Sequence, residues 1–299
     1  MTNTIFKKNF KIEDGIIKFK DFNETTKKIQ EFYKDEPFPN YRADDTKQTI
    51  LNIGDNNFFA KQIKNFFQFN KKILEVGSGT SQLSSYLAIG TNNQIFAMDP
   101  TLESLTLGKN FSESNNIKNV NFVNADLFDD VYLEEVFDLV WCSGVLHHTS
   151  APYLGFKNIL KTLKKEGYII IGLYNKIFRI KTIIRRVIFK LFGKKIILKI
   201  DPYLRSIKND SKKISAWIHD QYEHPVESLH DFEEVLNWFK ENNVEFISSI
   251  PSSESKLKDN IFEKQKKGDK ISRFLAQFFA IFSPLGNEGG LFLFIGKKK

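Results

Sequence analysis

Ile73-Leu74-Glu75-Val76-Gly77-Ser78-Gly79-Thr80-Ser81 is the stretch whose reading decides the fold. A short apolar strand ends in a carboxylate, and two glycines let the backbone pass close to a ligand. A helical pattern begins at once, with Leu83, Tyr86 and Leu87 at helical spacing and Gly90 placed to end it. Working outward, the alternation repeats. Gln94–Met98 reads as a strand and Leu102–Ser112 as a helix. Val120–Val123 and Val136–Trp141 read as strands, Tyr153–Leu163 as a helix, and Tyr168–Leu173 as a fifth strand. A helix over Ser228–Glu241, started by a Ser228/Asp231 capping box, and strands over Val244–Ile250 and Leu291–Ile295 complete the series. Strands alternating with helices at this spacing predict a doubly wound α/β fold, a seven-stranded, mostly parallel sheet with helices on both faces.

Two segments stand outside that pattern. Residues 1–45 read as an appendage, in which Ile5–Ile12 and Ile16–Lys20 flank a Glu13-Asp14-Gly15 turn and a polar helix follows, stopped at Pro37 and Pro39. A further helix is expected from Asp44–Thr46 to Phe67. The main domain then spans residues 46–299, with a helical insertion or cap over residues 176–227 after strand five.

Composition bounds what the chain can be. Its 299 residues are 41% apolar, enough for one well-buried α/β domain with added segments. The 30 phenylalanines read as compositional drift rather than an aromatic binding array. A net charge of +8 is compatible with an anionic partner but does not require one. The lone Cys142 excludes an intrachain disulfide, and a reducing, cytoplasmic location is the expectation. Met1–Phe10 has no apolar signal region, and the apolar run Phe274–Phe282 is far below the ~20 residues that span a bilayer. No zinc-spaced Cys/His cluster occurs, so no metal is expected.

The acids decide which ligand the glycine loop takes. Glu75, Asp99 and Asp126 close three consecutive strands, and crevices at strand carboxyl ends bind ligands in open α/β sheets. Asp99 is placed for ribose hydroxyls, Asp126 or its backbone neighbour for an adenine, and Glu75 for a cationic amino-acid part. Singly, each is equally a turn or cap residue; jointly they suit a ligand with a diol, an adenine and a positive charge. A nicotinamide dinucleotide fits less well, because Gln82 stands where its fingerprint needs a small residue and Glu75 would repel a pyrophosphate. No G-x-x-x-x-G-K-[ST] loop occurs.

These residues resemble the class I S-adenosylmethionine-dependent methyltransferases, in particular the type 11/12 methyltransferase-domain group. LEVGSGT (74–80) resembles the first motif, with Ser81 in place of a frequent third glycine. FAMDP (96–100) resembles the ribose motif, NADLFD (124–129) the adenine-side motif, FDLVWCSGVLHHT (137–149) the fourth-strand motif, and LKTLKKEGYIIIGLYN (160–175) the helix–glycine–strand ending. FYKDEPFPNY, DQYEHPVESLHDFEEVLNWF and EGGLFLFIGKK resemble an uncharacterised subgroup. The resemblance implies a Rossmann-like methyltransferase fold and S-adenosyl-L-methionine as cofactor, held by Glu75, Gly77, Ser78, Gly79, Asp99, Asp126, Leu127 and Ser143. It supplies no acceptor.

Methyl transfer from a sulfonium needs mainly alignment, and a base only if the acceptor must lose a proton. By family position His148 is the catalytic candidate; the alternative is that His147 and His148 only cap a turn. Asn175, Tyr33, Tyr41, Asp220, Tyr222 and His224 are substrate-side candidates. Tyr33 or Tyr41 is placed to touch the sulfonium through its ring as the Pro37–Tyr41 segment closes, or that segment is a linker. His224-Pro225 otherwise only sets a turn. A small-molecule or lipid-like acceptor is expected; a non-catalytic binding module and an RNA methyltransferase are the alternatives, although no N/D-P-P-Y/F motif or appended RNA-binding domain occurs. Residues 176–199 contain nine Lys and Arg and no Asp or Glu, with Ile177, Ile180, Ile184, Val187, Ile188 and Leu191 at helical spacing. That pattern fits a cap helix with a solvated basic side, a helix lying on an anionic membrane, or a surface tracking a phosphate backbone.

Overall fold

β-Branched and aromatic runs bounded by glycine, asparagine and aspartate form the strands of the computed structural model, which describes residues 5–35, 37–254, 260–284 and 289–299. Met1–Thr4, the start of the stretch read as lacking a signal region, lie outside the described residues. Nine strands form one sheet: β1 Lys11–Glu13, β2 Ile16–Lys18, β3 Lys72–Val76, β4 Gln94–Asp99, β5 Val120–Asn124, β6 Phe137–Ser143, β7 Leu163–Tyr174, β8 Val244–Ile250 and β9 Leu291–Lys298. Their order is β1-β2-β5-β4-β3-β6-β7-β9-β8. β2 through β7 run parallel, whereas β9 is antiparallel to both β7 and β8.

The sheet therefore has nine strands among the described residues, not the seven expected. The extra two are the N-terminal hairpin, which pairs β2 with β5 in the register Ile17↔Val123. Asp14 and Gly15, both at positive φ, make its two-residue turn between Glu13 and Ile16. Without the hairpin, β5 would leave an open edge of unpaired backbone groups. Ile5, Phe6, Ile17 and Phe19 pack into the main core, so the appendage continues the sheet.

The helices are α1 Glu24–Lys34, α2 Lys47–Asn56, α3 Phe58–Phe66, α4 Gln82–Ala88, α5 Leu102–Ser114, α6 Pro152–Lys161, α7 Ile180–Phe192, α8 Lys194–Ile200, α9 Pro202–Ser206, α10 Ser211–Ile218, α11 Phe232–Glu241 and α12 Lys270–Ala280. The single helix expected up to Phe67 is two, because Asn57 ends α2 and its side chain caps α3 by accepting from the Ala60 amide. α11 starts at Phe232, with Asp231 as its cap; Ser228 instead bonds the His147 carbonyl.

Alternate strand residues face opposite layers. Leu74, Val140 and Ile171 pack with α6 and α11, while Ile73, Leu139 and Ile170 pack with α2, α3 and α4. Both faces are thus covered, as a mostly parallel sheet requires. The insertion carries its own small core of Ile197, Leu204, Ile214, Trp217, Ile218 and Tyr222. Among the described residues no helix is long and apolar enough to cross a membrane.

Candidate functional site

The chain reverses direction across the sheet between β3 and β6: β4 and β5 add on one side, β7 on the other. That switch point opens a crevice at the strands' carboxyl ends. The loop after β3 holds Gly77 at φ +67 and Gly79 at φ +50, with Ser81 at φ +60. A Cβ on Gly77 would strike Val145 of the loop after β6, and one on Gly79 would strike the Phe38 carbonyl oxygen. Both loops and the Pro37–Tyr41 segment therefore close on one another only because these positions lack side chains. Ser81 occupies the left-handed conformation that a third glycine would adopt without strain.

Asp99, at the end of β4, accepts from the Gly79 amide on one oxygen and from the Thr101 amide on the other, both at 2.8 Å. Its burial pushes its carboxyl up to about 6. Glu75 is buried behind the glycine loop, where Ser84 donates to it, and burial pushes its carboxyl up to about 7. A carboxyl raised on folding from the ordinary 4.5 stabilises the folded chain fully below 4.5 and ceases to do so as pH rises through 7. Glu75→Gln removes this dependence. The melting temperature of the variant minus that of the parent should therefore grow between pH 5 and 8 in scanning fluorimetry. A constant difference would mean Glu75 ionises in the folded chain as it does in water. His147 and His148, which burial shifts in the opposite sense, cancel in that comparison.

Asp126, after β5, spends its carboxylate on the appendage. One oxygen accepts from the backbone and side-chain amides of Asn23, at 3.1 and 2.8 Å, and the other from Phe128 N–H. Asn23 caps α1, so Asp126 anchors that helix over the crevice, while its neighbour Leu127 lines the crevice directly. The far end of α1 is held too: Tyr33 Oη donates to Asp220 at 2.5 Å, and Phe32 stacks on His219 with ring centroids 3.7 Å apart. Thr25, Thr26, Ile29 and Tyr33 thereby roof a cavity of about 380 Å³, a volume typical of small-ligand sites.

The cavity's second end lies between β6, β7 and the insertion. His148 lines it, and its Nδ1 is 2.7 Å from the Val226 carbonyl. A carbonyl only accepts, so Nδ1 carries the proton and Nε2 keeps a free lone pair. Burial holds this imidazole at about 4, so it is neutral at pH 7. Opposite stand Asp220, Gln221 and Tyr174. Gln221 donates to Asp220 and to Tyr174 Oη, and accepts from Arg179, whose guanidinium lies 3.2 Å from the Tyr174 ring centroid. Arg179 is paired through two nitrogens with Glu227, which Arg186 also contacts. A buried network of charge-assisted hydrogen bonds of this kind stiffens the wall.

Of the residues expected on the substrate side, Tyr33 and Asp220 meet in the cavity, along with Ser143 and all the cofactor-side residues. Four others are turned elsewhere. Tyr41 stacks on Phe111 of α5, 4.5 Å between centroids. Asn175 is wholly buried, with its Oδ1 accepting from the Ile177 and Phe178 amides and its Nδ2 donating to Gln277. Tyr222 donates to Asp201 inside the insertion's core. His224 stacks behind His148 at 3.5 Å. Gln221, Tyr174 and Trp217 also line the cavity, and in the sequence only the polar cluster around Asp220 signals their neighbourhood.

The donor set can be tested against an S-adenosyl nucleoside. Each Asp99 oxygen accepts one amide and retains a lone pair for a hydroxyl of a diol. The glycine cradle has no Cβ to obstruct a ligand, and Met98, Leu127 and Val145 supply apolar contact for a flat ring. Glu75 provides a buried acid that a cationic group would neutralise. The residues fit.

A family model described as "Methyltransferase domain" matches residues 68–278. An uncharacterized protein of Synechococcus sp. is 29% identical over 110 residues, 36% of this chain and 26% of that protein. The chain thus spans about a quarter of that relative. Among solved structures, PKMT2 from Rickettsia typhi superposes with a TM-score of 0.58 at 14% identity, covering 81% of this chain and 52% of that one. Magnesium protoporphyrin IX methyltransferase from Synechocystis PCC 6803, solved with bound SAH, gives 0.54 at 10% identity, covering 92% and 100%. At such identities the likeness is one of fold.

Proposed function

Because the chain belongs to the methyltransferase-domain family, whose methyl donor is S-adenosylmethionine, we propose that it methylates a small-molecule or lipid-like acceptor admitted between His148 and the Tyr33–Asp220 pair. One observation carries this reading: a single roofed cavity joins the glycine loop to an end lined by a neutral imidazole. The roof of α1 and the insertion favours a compact acceptor over a folded polymer, and Phe38, Val145, Trp217 and Leu291 give the walls an apolar share.

The donor supplies a methyl group on a positively charged sulfur with its leaving group already activated. The protein's part is placement. Asp99 holds the ribose diol, Leu127 and Asp126 border the adenine, and Glu75 faces the cationic amino-acid part. Gly77, Ser78, Gly79 and Ser143 shape the cradle between them. On the acceptor side, Nε2 of His148 would take the proton of an O–H or N–H nucleophile as its bond to carbon forms and the carbon–sulfur bond breaks.

Asp99→Ala should weaken S-adenosylhomocysteine binding by about 1–3 kcal/mol, the loss expected for a charged hydrogen bond. Calorimetric titration measures it, and unchanged affinity in a folded variant would exclude Asp99 from the ribose site. The acceptor class is tested by incubating the chain with methyl-labelled S-adenosylmethionine and extract of the source organism, then fractionating the label. Label in the small-molecule or lipid fraction is expected. Label in RNA or protein would overturn the acceptor class, and no transfer despite normal S-adenosylhomocysteine binding would favour a non-catalytic module.

A further inference from the structure

Helix α7 is reversed relative to an ordinary surface helix. The arginines at its start and along it face inward: Arg179, just before its first residue, and Arg186 meet Glu227, and Arg185 lies 3.8 Å from Asp201. The opposite stripe of Ile180, Ile184, Val187 and Leu191 faces solvent, with Leu191 70% exposed. α12 repeats the arrangement. Arg273 is buried against Glu233 and Gln277 bonds Asn175, while Ile271, Phe274, Phe278, Phe279 and Phe282 point outward, the last 70% exposed. The two faces meet where Lys181 Nζ stands 5.7 Å from the Phe282 ring centroid. A patch of this size on one chain marks an interaction surface.

The flanking charges indicate what covers it. At 100° per residue, Lys181 and Lys190 lie roughly 60° to either side of the α7 stripe. Exposed Lys194, Lys195 and Lys199 continue along α8 beside exposed Ile196 and Ile200, and exposed Lys266, Lys267 and Lys270 lead into α12. No Asp or Glu occurs from Lys176 to Ile200. A second copy would set lysines against lysines. An RNA would be gripped best by arginine forks, and those on α7 are spent on internal carboxylates. An anionic bilayer takes both parts, with phenylalanines and leucines at the acyl boundary and lysines among the headgroups. We infer that the outward faces of α7 and α12 dock this protein on an anionic lipid bilayer. Arg179, just before α7, bonds Gln221 of the cavity wall, so the docked face begins one side chain from the acceptor end. Docking requires only this surface and no property of the cofactor cradle.

Co-sedimentation of the full chain with vesicles of phosphatidylcholine, alone or mixed with phosphatidylglycerol, is the test. Binding to the mixed vesicles should exceed binding to the neutral ones by ~10-fold or more, and should fall as added salt screens the lysines. Leu191→Glu with Phe278→Glu and Phe279→Glu, all at exposed positions, should abolish it. Helix content and calorimetric S-adenosylhomocysteine binding should be unchanged, so a cofactor defect would be seen separately. Equal or negligible binding to both vesicles would overturn the inference, as would wild-type binding by the triple variant. So would either of two alternatives in the absence of vesicle binding: a dimer in sedimentation velocity that the triple variant breaks, or salt-sensitive retention of RNA.

Discussion

Gly79→Val is expected to abolish calorimetric binding of S-adenosylhomocysteine, at least about 100-fold weaker by the usual affinity arithmetic, while circular dichroism keeps its helical signal. Two costs combine. Gly79 sits at φ +50, where a β-branched residue is strained by roughly 1–3 kcal/mol. Its new Cβ would also meet the Phe38 carbonyl oxygen, a backbone atom that cannot swing aside as a side chain would. Relief requires either the glycine loop or the Pro37–Tyr41 segment to move, and moving the loop takes its amide away from Asp99. The core beneath is untouched, since Leu74 and Val76 pack on the layer away from that contact. Gly79→Ala, with the same φ demand and less bulk, should fall between the two. Normal binding by the valine variant would reduce both glycines to turn residues.

His148→Gln should lower methyl transfer to the fractionated acceptor by about 10²–10⁴-fold, the range of a lost general base, with cofactor affinity unchanged. Glutamine keeps the length and can still donate to Val226, but it has no basic nitrogen. The pH profile separates a base from a spacer. Burial lowers the folded value of His148 to about 4, so the imidazole stays neutral and its lone pair available from pH 8 down to that value. The parent's rate should therefore fall on the acid side near 4 rather than near the ordinary 6.5, and that limb should vanish in the variant. Retained rate in His148→Gln would leave alignment alone as the protein's contribution.

The glycine loop, its acids and the seven-strand alternation were legible because each is local: a strand end, a turn conformation and a helix start lie within ten residues of one another. Asp99 and Glu75 follow from strand ends alone. The identity of the roof was not legible. Asp126 or its backbone neighbour reads as the adenine contact, and the Asp126 carboxylate is claimed by Asn23, 103 residues away in sequence. The cavity wall of Gln221 and Tyr174, backed by Arg179, rests on partners 42 to 48 residues apart in sequence. Asn175 and Tyr222 look available as polar residues near a site, but backbone amides and Asp201 take them first. The faces of residues 176–199 were legible too, but not which one turns inward. Periodicity finds two faces, and ordinary burial puts the apolar one inside. Here Glu227 and Asp201, beyond the helix, draw the arginines in.

Fastening α1 at both ends has an energetic consequence. Asn23 ties its first turn to Asp126, and Tyr33 ties its last to Asp220. An 11-residue helix is a bar of about 16 Å, too stiff to bend, so freeing either end tilts the whole bar over the cavity. Whatever each substrate contributes to keeping the bar seated is shared with its neighbour. The two affinities are then linked by one coupling free energy, reciprocal by thermodynamic necessity. Donor and acceptor should each tighten the other by the same factor, and exchange of spent cofactor should quicken once the methylated product has left.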